Sequence, residues 1–376
     1  MEPPKGWDLE GTIQRIDEKY RPVWTGRPPR EAGALASYFL PHSSSKPVLG
    51  PTRPRAIKWY CPFAHQADFP SGHRYCINVY TGCAHKCVYC YAAGYMSGEP
   101  SQKANFQRLV TKDMEDLEQF DVPPAPVHLS NSTDPFQPIE VEARDTKFAL
   151  EQILAHRKRF TTVVILTKNP LLPVEQGYLE LFREIGALPR GHPKAEEFER
   201  RNLPAFFVEV SLAFFREEPR SVYDPHAPSV EARKAAVQAL ANADIPVVLR
   251  IDPLFPRSPL REDSQETLAD FGLPEAQTIE DLENLVHFAR EMHVRHVVYS
   301  PTKIVKPRGR QLSETMQAMR VVYERVASPG RLVWRSNSWR LPPAIATSKV
   351  VQPFLEICRR EGVRAVHCMQ NLIDTP

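Results

Sequence analysis

Six short apolar runs recur along the middle of this 376-residue chain, and helix-length amphipathic segments separate most of them. The runs are CINVY (76–80), APVHLS (125–130), TTVVILT (161–167), AFFVEVSL (205–212), IPVVLRID (245–252) and HVVYS (296–300). Helical periodicity lies near residues 142–157, 174–185, 229–243, 278–291 and 313–327. Strands that alternate with helices run parallel, because only a crossover returns the chain to the same edge. The expectation is an α/β fold built on a partial (β/α)6 barrel with parallel strands, both faces covered. Functional side chains in such barrels sit just past the C-terminal ends of the strands.

The flanks read differently. Residues 1–72 are rich in proline, serine and basic residues, with Trp24, Tyr38, Phe39 and Trp59 spaced between them. Aromatics are costly to leave in water, so this segment is expected to wrap the barrel as an N-terminal arm. The 37 prolines against 16 glycines fit extended coverings better than flexible linkers. The barrel is expected over residues 73–305, and a C-terminal α/β extension over 306–376, with a strand-like RLVWRS and a helix near 346–361. A net charge of +3 neither demands nor excludes a nucleic-acid partner. No apolar run reaches the roughly 18 residues of a membrane span, and MEPPKGWDLEGTIQRIDEKY lacks the apolar centre of a signal peptide. The expected setting is therefore the cytosol, without a membrane, where cysteines are thiols or metal ligands before they are disulfides.

Three of the seven cysteines fall within eight residues, in YTGCAHKCVYCY after the first run. Cys83, Cys87 and Cys90 form a C-x3-C-x2-C cluster, and a loop with three thiolates this close can wrap one face of a four-iron, four-sulfur cube. Two other readings stand beside it. A zinc site would need a fourth ligand from His85 or a distant cysteine, and a redox pair of Cys87 and Cys90 would leave Cys83 without a role. Three ligands on four irons leave one iron open to a further molecule.

C-x3-C-x2-C with Tyr89 before the third cysteine resembles the motif of the radical S-adenosylmethionine enzymes. NVYTGCAHKCVYCYA, STDPFQPIE (132–140), ILTKN (165–169), EVSL (209–212) and LRIDPLFP (249–256) together are similar to the spore photoproduct lyase-like, DNA repair photolyase-related subfamily. The resemblance covers roughly residues 74–305. It implies a [4Fe-4S] cluster on Cys83, Cys87 and Cys90, whose open iron chelates the amino and carboxylate groups of S-adenosyl-L-methionine, and reductive cleavage of that cofactor to a 5′-deoxyadenosyl radical. It implies further that Tyr89 lies against the adenine and that Ser130, Ser132, Thr133 and Asp134 surround the methionine ammonium. On the same footing Lys168 meets the methionine carboxylate and Ser211 reaches the ribose. Arg250 and Asp252 alternate with Leu249 and Ile251, so both polar groups point to one face, expected to be the barrel interior.

The chain departs from the subfamily at one point. The lyase returns a hydrogen atom to its product radical from a cysteine after the second strand, whereas the matching stretch here is LSNSTDP and no cysteine lies between Cys90 and Cys358. Cys368, Tyr91 and Tyr299 are the candidate replacements. Cys61, Cys76, Cys358 and Cys368 equal in number the ligands of a second cluster but are scattered, and His65 and His73 between Cys61 and Cys76 match no standard zinc spacing. The resemblance implies a reductant such as flavodoxin or ferredoxin and a nucleic acid as substrate, to which TRPRAIK (52–58) and TKIVKPRGR (302–310) offer basic contacts. A small metabolite or a peptide is the alternative substrate, and a non-catalytic redox sensor the alternative function.

Overall fold

All six apolar runs become strands, in order and parallel, and two further strands join the same sheet. The strands are β1 (Ile57–Lys58), β2 (Tyr75–Ile77), β3 (Ala125–Leu129), β4 (Phe160–Thr167), β5 (Phe206–Ser211), β6 (Val247–Arg250), β7 (Val297–Tyr299), β8 (Ile304–Val305), β9 (Val333–Arg335), β10 (Ser338–Arg340) and β11 (Ala365–His367). The large sheet runs β1-β2-β3-β4-β5-β6-β7-β11, while β8, β10 and β9 form a small antiparallel sheet. Only β1 is antiparallel to its neighbour in the large sheet. The sheet order ends at β1 and β11 without closing, so the architecture is an open, partial barrel of α/β type. The computed structural model describes residues 55–58, 75–96, 99–119 and 124–368, with positions 8, 11 and 14. Trp24, Tyr38, Phe39, Trp59, Cys61, His65 and His73 lie outside the described residues, as does most of the expected arm. Strands from beyond both expected boundaries, at residues 72 and 305, pair into the barrel sheet: β1 on β2 and β11 on β7.

Strand parity decides what faces where. Val164 pairs with Phe207, Glu209 with Val248 and Arg250 with Val298. Val164, Phe207, Val248 and Val298 form a small apolar cluster separate from the main core, with Cys368 packed against it. Their strand neighbours Val163, Ile165, Val208, Val210, Leu249 and Val297 belong instead to the main core under the helices. The small cluster is thus the floor of the barrel interior. Side chains of the same parity further along β4, β5 and β6 stand above it, among them Leu166, Glu209 and Arg250, and then Lys168, Ser211 and Asp252.

The helical expectations hold where capping is written into the chain. Ser229, Thr278 and Ser313 cap α-helices at Val230–Asn242, Ile279–Glu291 and Glu314–Ala327, and Thr278 with Asp281 completes a capping box. The helix expected over 174–185 is two, Leu171–Glu175 and Leu179–Gly186, because Gly177 between them takes a left-handed φ of 74°. A helix at Phe106–Gln119 was not expected; its apolar stripe of Phe106, Val110, Met114 and Leu117 is interrupted by Asp113 and Asp116, which are buried. Those carboxylates hold the β1 edge: Asp113 accepts from Ala56 N at 2.7 Å and Ile57 N at 2.8 Å, and Arg55 bridges Asp113 and Asp116. Strand β2 is shorter than the expected 76–80, ending where Ser130 N donates to Ile77 O. Among the described residues no helix is long and apolar enough to cross a membrane.

Candidate active site

A cavity of about 260 Å³ opens at the C-terminal ends of the parallel strands. Its lining gathers most of the expected residues: Cys83, Cys87, Tyr89, Cys90 and Tyr91 from the loop after β2; Ser130, Ser132, Thr133 and Asp134 after β3; Lys168 after β4; Ser211 on β5; Arg250 and Asp252 at β6; and Cys368 after β11. Segments far apart in sequence meet here because the parallel sheet brings every strand's C-terminal end to one rim.

The cysteine loop is built by backbone turns. Gly82 and Lys86 take left-handed φ values of 71° and 46°, Cys90 N donates to Cys87 O, and Val88 N donates to Tyr223 O. Gln137 accepts from Ala84 N at 3.0 Å. Burial pushes all three thiols up, Cys83 to about 11, so their thiolates call for a positive centre. Among the described residues no three His, Cys, Asp or Glu side chains are arranged to hold a single metal ion. The loop's own donors are three thiols, the soft ligands that iron–sulfur clusters take.

Two hydroxyls on this cavity are orphans. Ser130 Oγ and Thr133 Oγ1 are buried without a hydrogen-bond partner. A buried polar atom without a partner costs about 1–3 kcal/mol, and a polar ligand in the cavity removes that cost. Ser132 sits beside them, its hydroxyl 2.8 Å from Tyr95 Oη. Asp134, by contrast, is already engaged: Phe136 N at 2.8 Å and Thr167 Oγ1 at 2.8 Å meet Oδ1, while Lys168 N at 2.6 Å and His85 Nε2 at 3.0 Å meet Oδ2. Burial works against its charge, but His85 and these donors hold the carboxyl below its ordinary value.

Lys168 and Tyr89 share a partner. Lys168 Nζ lies 3.0 Å from Asp224 Oδ2 and 2.8 Å from Tyr89 Oη, and Tyr89 donates to Asp224 Oδ1 at 2.5 Å. Burial alone would raise Asp224, yet the charges of Lys168 and Arg233 hold it well below the usual carboxylate range. The same pairing outweighs desolvation and raises Lys168, which stays an ammonium. On the opposite side Arg250 is clamped by Glu209 at 2.6 Å and Asp252 at 2.6 Å, and its Nη2 lies 2.8 Å from Cys368 Sγ. Asp252 in turn accepts from Ser300. Lys303 lies 5.4 Å above the Tyr91 ring, and the Tyr91 hydroxyl donates to the Asn131 carbonyl.

Tyr299 corrects one expectation. It has the parity of Val297, so its ring turns to the helix side, packing 5.5 Å from Phe354 and 5.5 Å from His367, and it does not line the cavity. The four remaining cysteines are also dispersed: Cys76 is buried on β2, Cys358 is in the main core, Cys368 is on the cavity, and Cys61 is outside the described residues. Sequence reasoning missed Asp224 and Arg233 and gave no role to Glu209; it named His85 as a zinc ligand and placed Lys303 in a basic segment, whereas the structure sets His85 against Asp134 and Lys303 over Tyr91. Glu209 left a legible mark as the single charge inside AFFVEVSL.

No family model matches the chain. It is similar to an uncharacterised protein of Methanocaldococcus jannaschii, 24% identical over 185 residues, a match that spans 49% of this chain and 62% of that relative. Two solved structures of spore photoproduct lyase share its fold. A cysteine-to-alanine mutant with dinucleoside spore photoproduct aligns with TM-score 0.53 and 14% identity over 84% of this chain and 79% of that one. A tyrosine-to-phenylalanine mutant aligns with TM-score 0.53 and 14% identity over 96% and 95%.

Proposed function

We propose that this chain is a radical S-adenosylmethionine enzyme of the spore photoproduct lyase kind, acting on a nucleic acid in the cytosol with flavodoxin or ferredoxin as reductant. The observation that carries the reading is convergence: the three thiols of the C-x3-C-x2-C loop open onto the same cavity as the orphaned hydroxyls of Ser130 and Thr133. Cys83, Cys87 and Cys90 would hold a [4Fe-4S] cluster. When bound and reduced, the cluster supplies the electron that cleaves S-adenosylmethionine to methionine and a 5′-deoxyadenosyl radical.

The chain's own residues bind and orient. The Lys168 ammonium, half-screened by Asp224, offers a charge-assisted donor to a carboxylate. The Ser130 and Thr133 hydroxyls accept from an ammonium, with Ser132 beside them, and Ser211 reaches a ribose hydroxyl. Tyr89 presents its ring while Asp224 fixes its hydroxyl. Asp134 holds the cysteine loop to the end of β4 rather than the ligand. Arg250 and Asp252 form a rigid polar layer above the apolar floor. Cys368, which lies outside the motif and lines the cavity, is the hydrogen donor to the substrate radical, and Tyr91, on the same cavity, is the alternative donor.

The test is anaerobic reconstitution with iron and sulfide, iron counting, electron paramagnetic resonance of the reduced protein, and chromatography of the nucleoside products. About four irons per chain and formation of 5′-deoxyadenosine are expected. Replacing Cys83, Cys87 and Cys90 by alanine should remove both. Full iron content in that triple variant overturns the ligand assignment, and a loaded wild type that forms no 5′-deoxyadenosine overturns the enzyme in favour of a redox sensor.

A further inference from the structure

We propose that Arg250 is a positioning residue for Cys368: clamped by Glu209 and Asp252, it holds the sulfur by a lone pair, so that Cys368 stays a thiol and turns its hydrogen to the cavity. The inference rests on the reading of Cys368 as hydrogen donor. Three strands bring the parts together, with Glu209 on β5, Arg250 at the end of β6, Asp252 just beyond it and Cys368 just beyond β11. Arg250 Nη1 lies 2.6 Å from Glu209, while Nη2 lies 2.6 Å from Asp252 and 2.8 Å from Cys368 Sγ.

A guanidinium carries only N–H donors and no acceptor. The sulfur therefore receives the Nη2 hydrogen, and the S–H bond of Cys368 takes no part in that contact. Against Cys368 lies the apolar floor of Val164, Phe207, Val248 and Val298, whose side chains accept no hydrogen bond. The S–H is left to the cavity that Cys368 lines. The surrounding charges favour the protonated form. Lys303, from the loop after β7 and beside Arg340, is the second cation acting on the sulfur. Against Arg250 and Lys303 stand Glu209 and Asp252 and, next to Lys303, Cys90, a thiolate when it holds the cluster. His367 turns to Tyr299 on the other side of β11. Burial, with Asp252 and Glu209, outweighs Arg250 and pushes the Cys368 thiol up.

A thiolate has no hydrogen to give, so a donor at this place has to stay protonated. The transfer breaks the S–H bond homolytically, forms a C–H bond on the substrate radical and leaves a sulfur radical on Cys368. One electron from the reductant turns that radical into a thiolate against the Arg250 N–H, and one solvent proton restores the thiol. Arg250 thus serves both ends of the cycle, and its two carboxylates prevent it from holding the sulfur as an anion between turnovers.

The experiment uses anaerobically reconstituted wild type and Glu209→Gln. The pH midpoint of iodoacetamide alkylation at Cys368 is read by peptide mass spectrometry, and thymines recovered from dinucleotide spore photoproduct are counted per 5′-deoxyadenosine formed. Loss of one carboxylate charge this close to the sulfur should lower the midpoint by about one pH unit. The thymine yield should fall in the variant, and the deficit should grow between about pH 6 and about pH 9 as thiolate replaces thiol. A folded Glu209→Gln with an unchanged midpoint overturns the proposal, and so does a deficit that is the same at every pH, which is what a purely structural role gives. Should Glu209→Gln fail to fold, Asp252→Asn is judged by the same two criteria. A wild type that forms 5′-deoxyadenosine but no thymines overturns the reading of Cys368 as donor, and this inference with it, whatever the midpoints.

Discussion

Asp134 divides two accounts of the same strand end, and Asp134→Asn separates them. The resemblance puts its carboxylate beside a bound amino acid, whereas the structure surrounds it with protein donors: Phe136 N and Thr167 Oγ1 on one oxygen, Lys168 N and His85 Nε2 on the other. Asparagine has the same shape but a single acceptor oxygen. Whichever way its amide turns, one backbone N–H, that of Phe136 or that of Lys168, faces an NH2 group, and the Thr167 hydroxyl or His85 Nε2 must accept instead of donating. Bonds to a charged acceptor are worth about 1.5–3 kcal/mol each and are not additive, and breaking a buried charged arrangement costs about 3–5 kcal/mol. At roughly 2 °C per kcal/mol for a chain of this size, the melting temperature should fall by roughly 6–10 °C. Because His85 stands between Cys83 and Cys87, release of its Nε2 should also lower the iron retained after gel filtration. Melting followed by circular dichroism and iron assay read the two effects. A variant that melts within about 1 °C of wild type, keeps its iron and loses only affinity for S-adenosylmethionine would show that Asp134 serves the ligand and refute the reasoning.

Cys368→Ala should leave 5′-deoxyadenosine formation from S-adenosylmethionine intact while suppressing conversion of dinucleotide spore photoproduct to thymines; full conversion in the variant would remove Cys368 as hydrogen donor. His192 titrates with the fold. Its burial, with the charge of Arg157, lowers it from 6.5 to about 4, so the unfolded chain takes up a proton that the folded one refuses. Stability should therefore decline as pH falls from about 6.5 towards 4. Denaturant titrations of His192→Gln at several pH values should show a shallower slope, and an identical slope would discount the residue.

Much of the barrel was legible because its information is local. Apolar runs covered on both faces, capped helices and the spacing of three cysteines each lie within a window of some 20 residues, and the six central strands appear where those windows place them. Parity was also written there: Tyr299 has the phase of Val297 and so belongs under the helices, a fact the strand alternation contains but a search for redox-active residues passes over. The helix at Phe106–Gln119 was masked by Asp113 and Asp116, which read as surface charges until Arg55 and the β1 backbone are seen against them. Of the expected arm over residues 1–72, positions 8, 11 and 14 and residues 55–58 lie among the described residues.

The sequence by itself determined the parallel α/β order, the cysteine loop after the first central strand and the rim of hydroxyls and charges that follow the later strands. What only the tertiary structure decided is which of those charges face a ligand and which face one another. Tyr89 meets Asp224 across 135 residues, Lys168 meets the same carboxylate across 56, and Arg250 meets Cys368 across 118. No local periodicity encodes such pairings. They follow from curling a parallel sheet until its strand ends converge, in an interior where every buried charge must find a partner, so residues that look alike in sequence are sorted there into those that hold the site and those that offer themselves to what enters it.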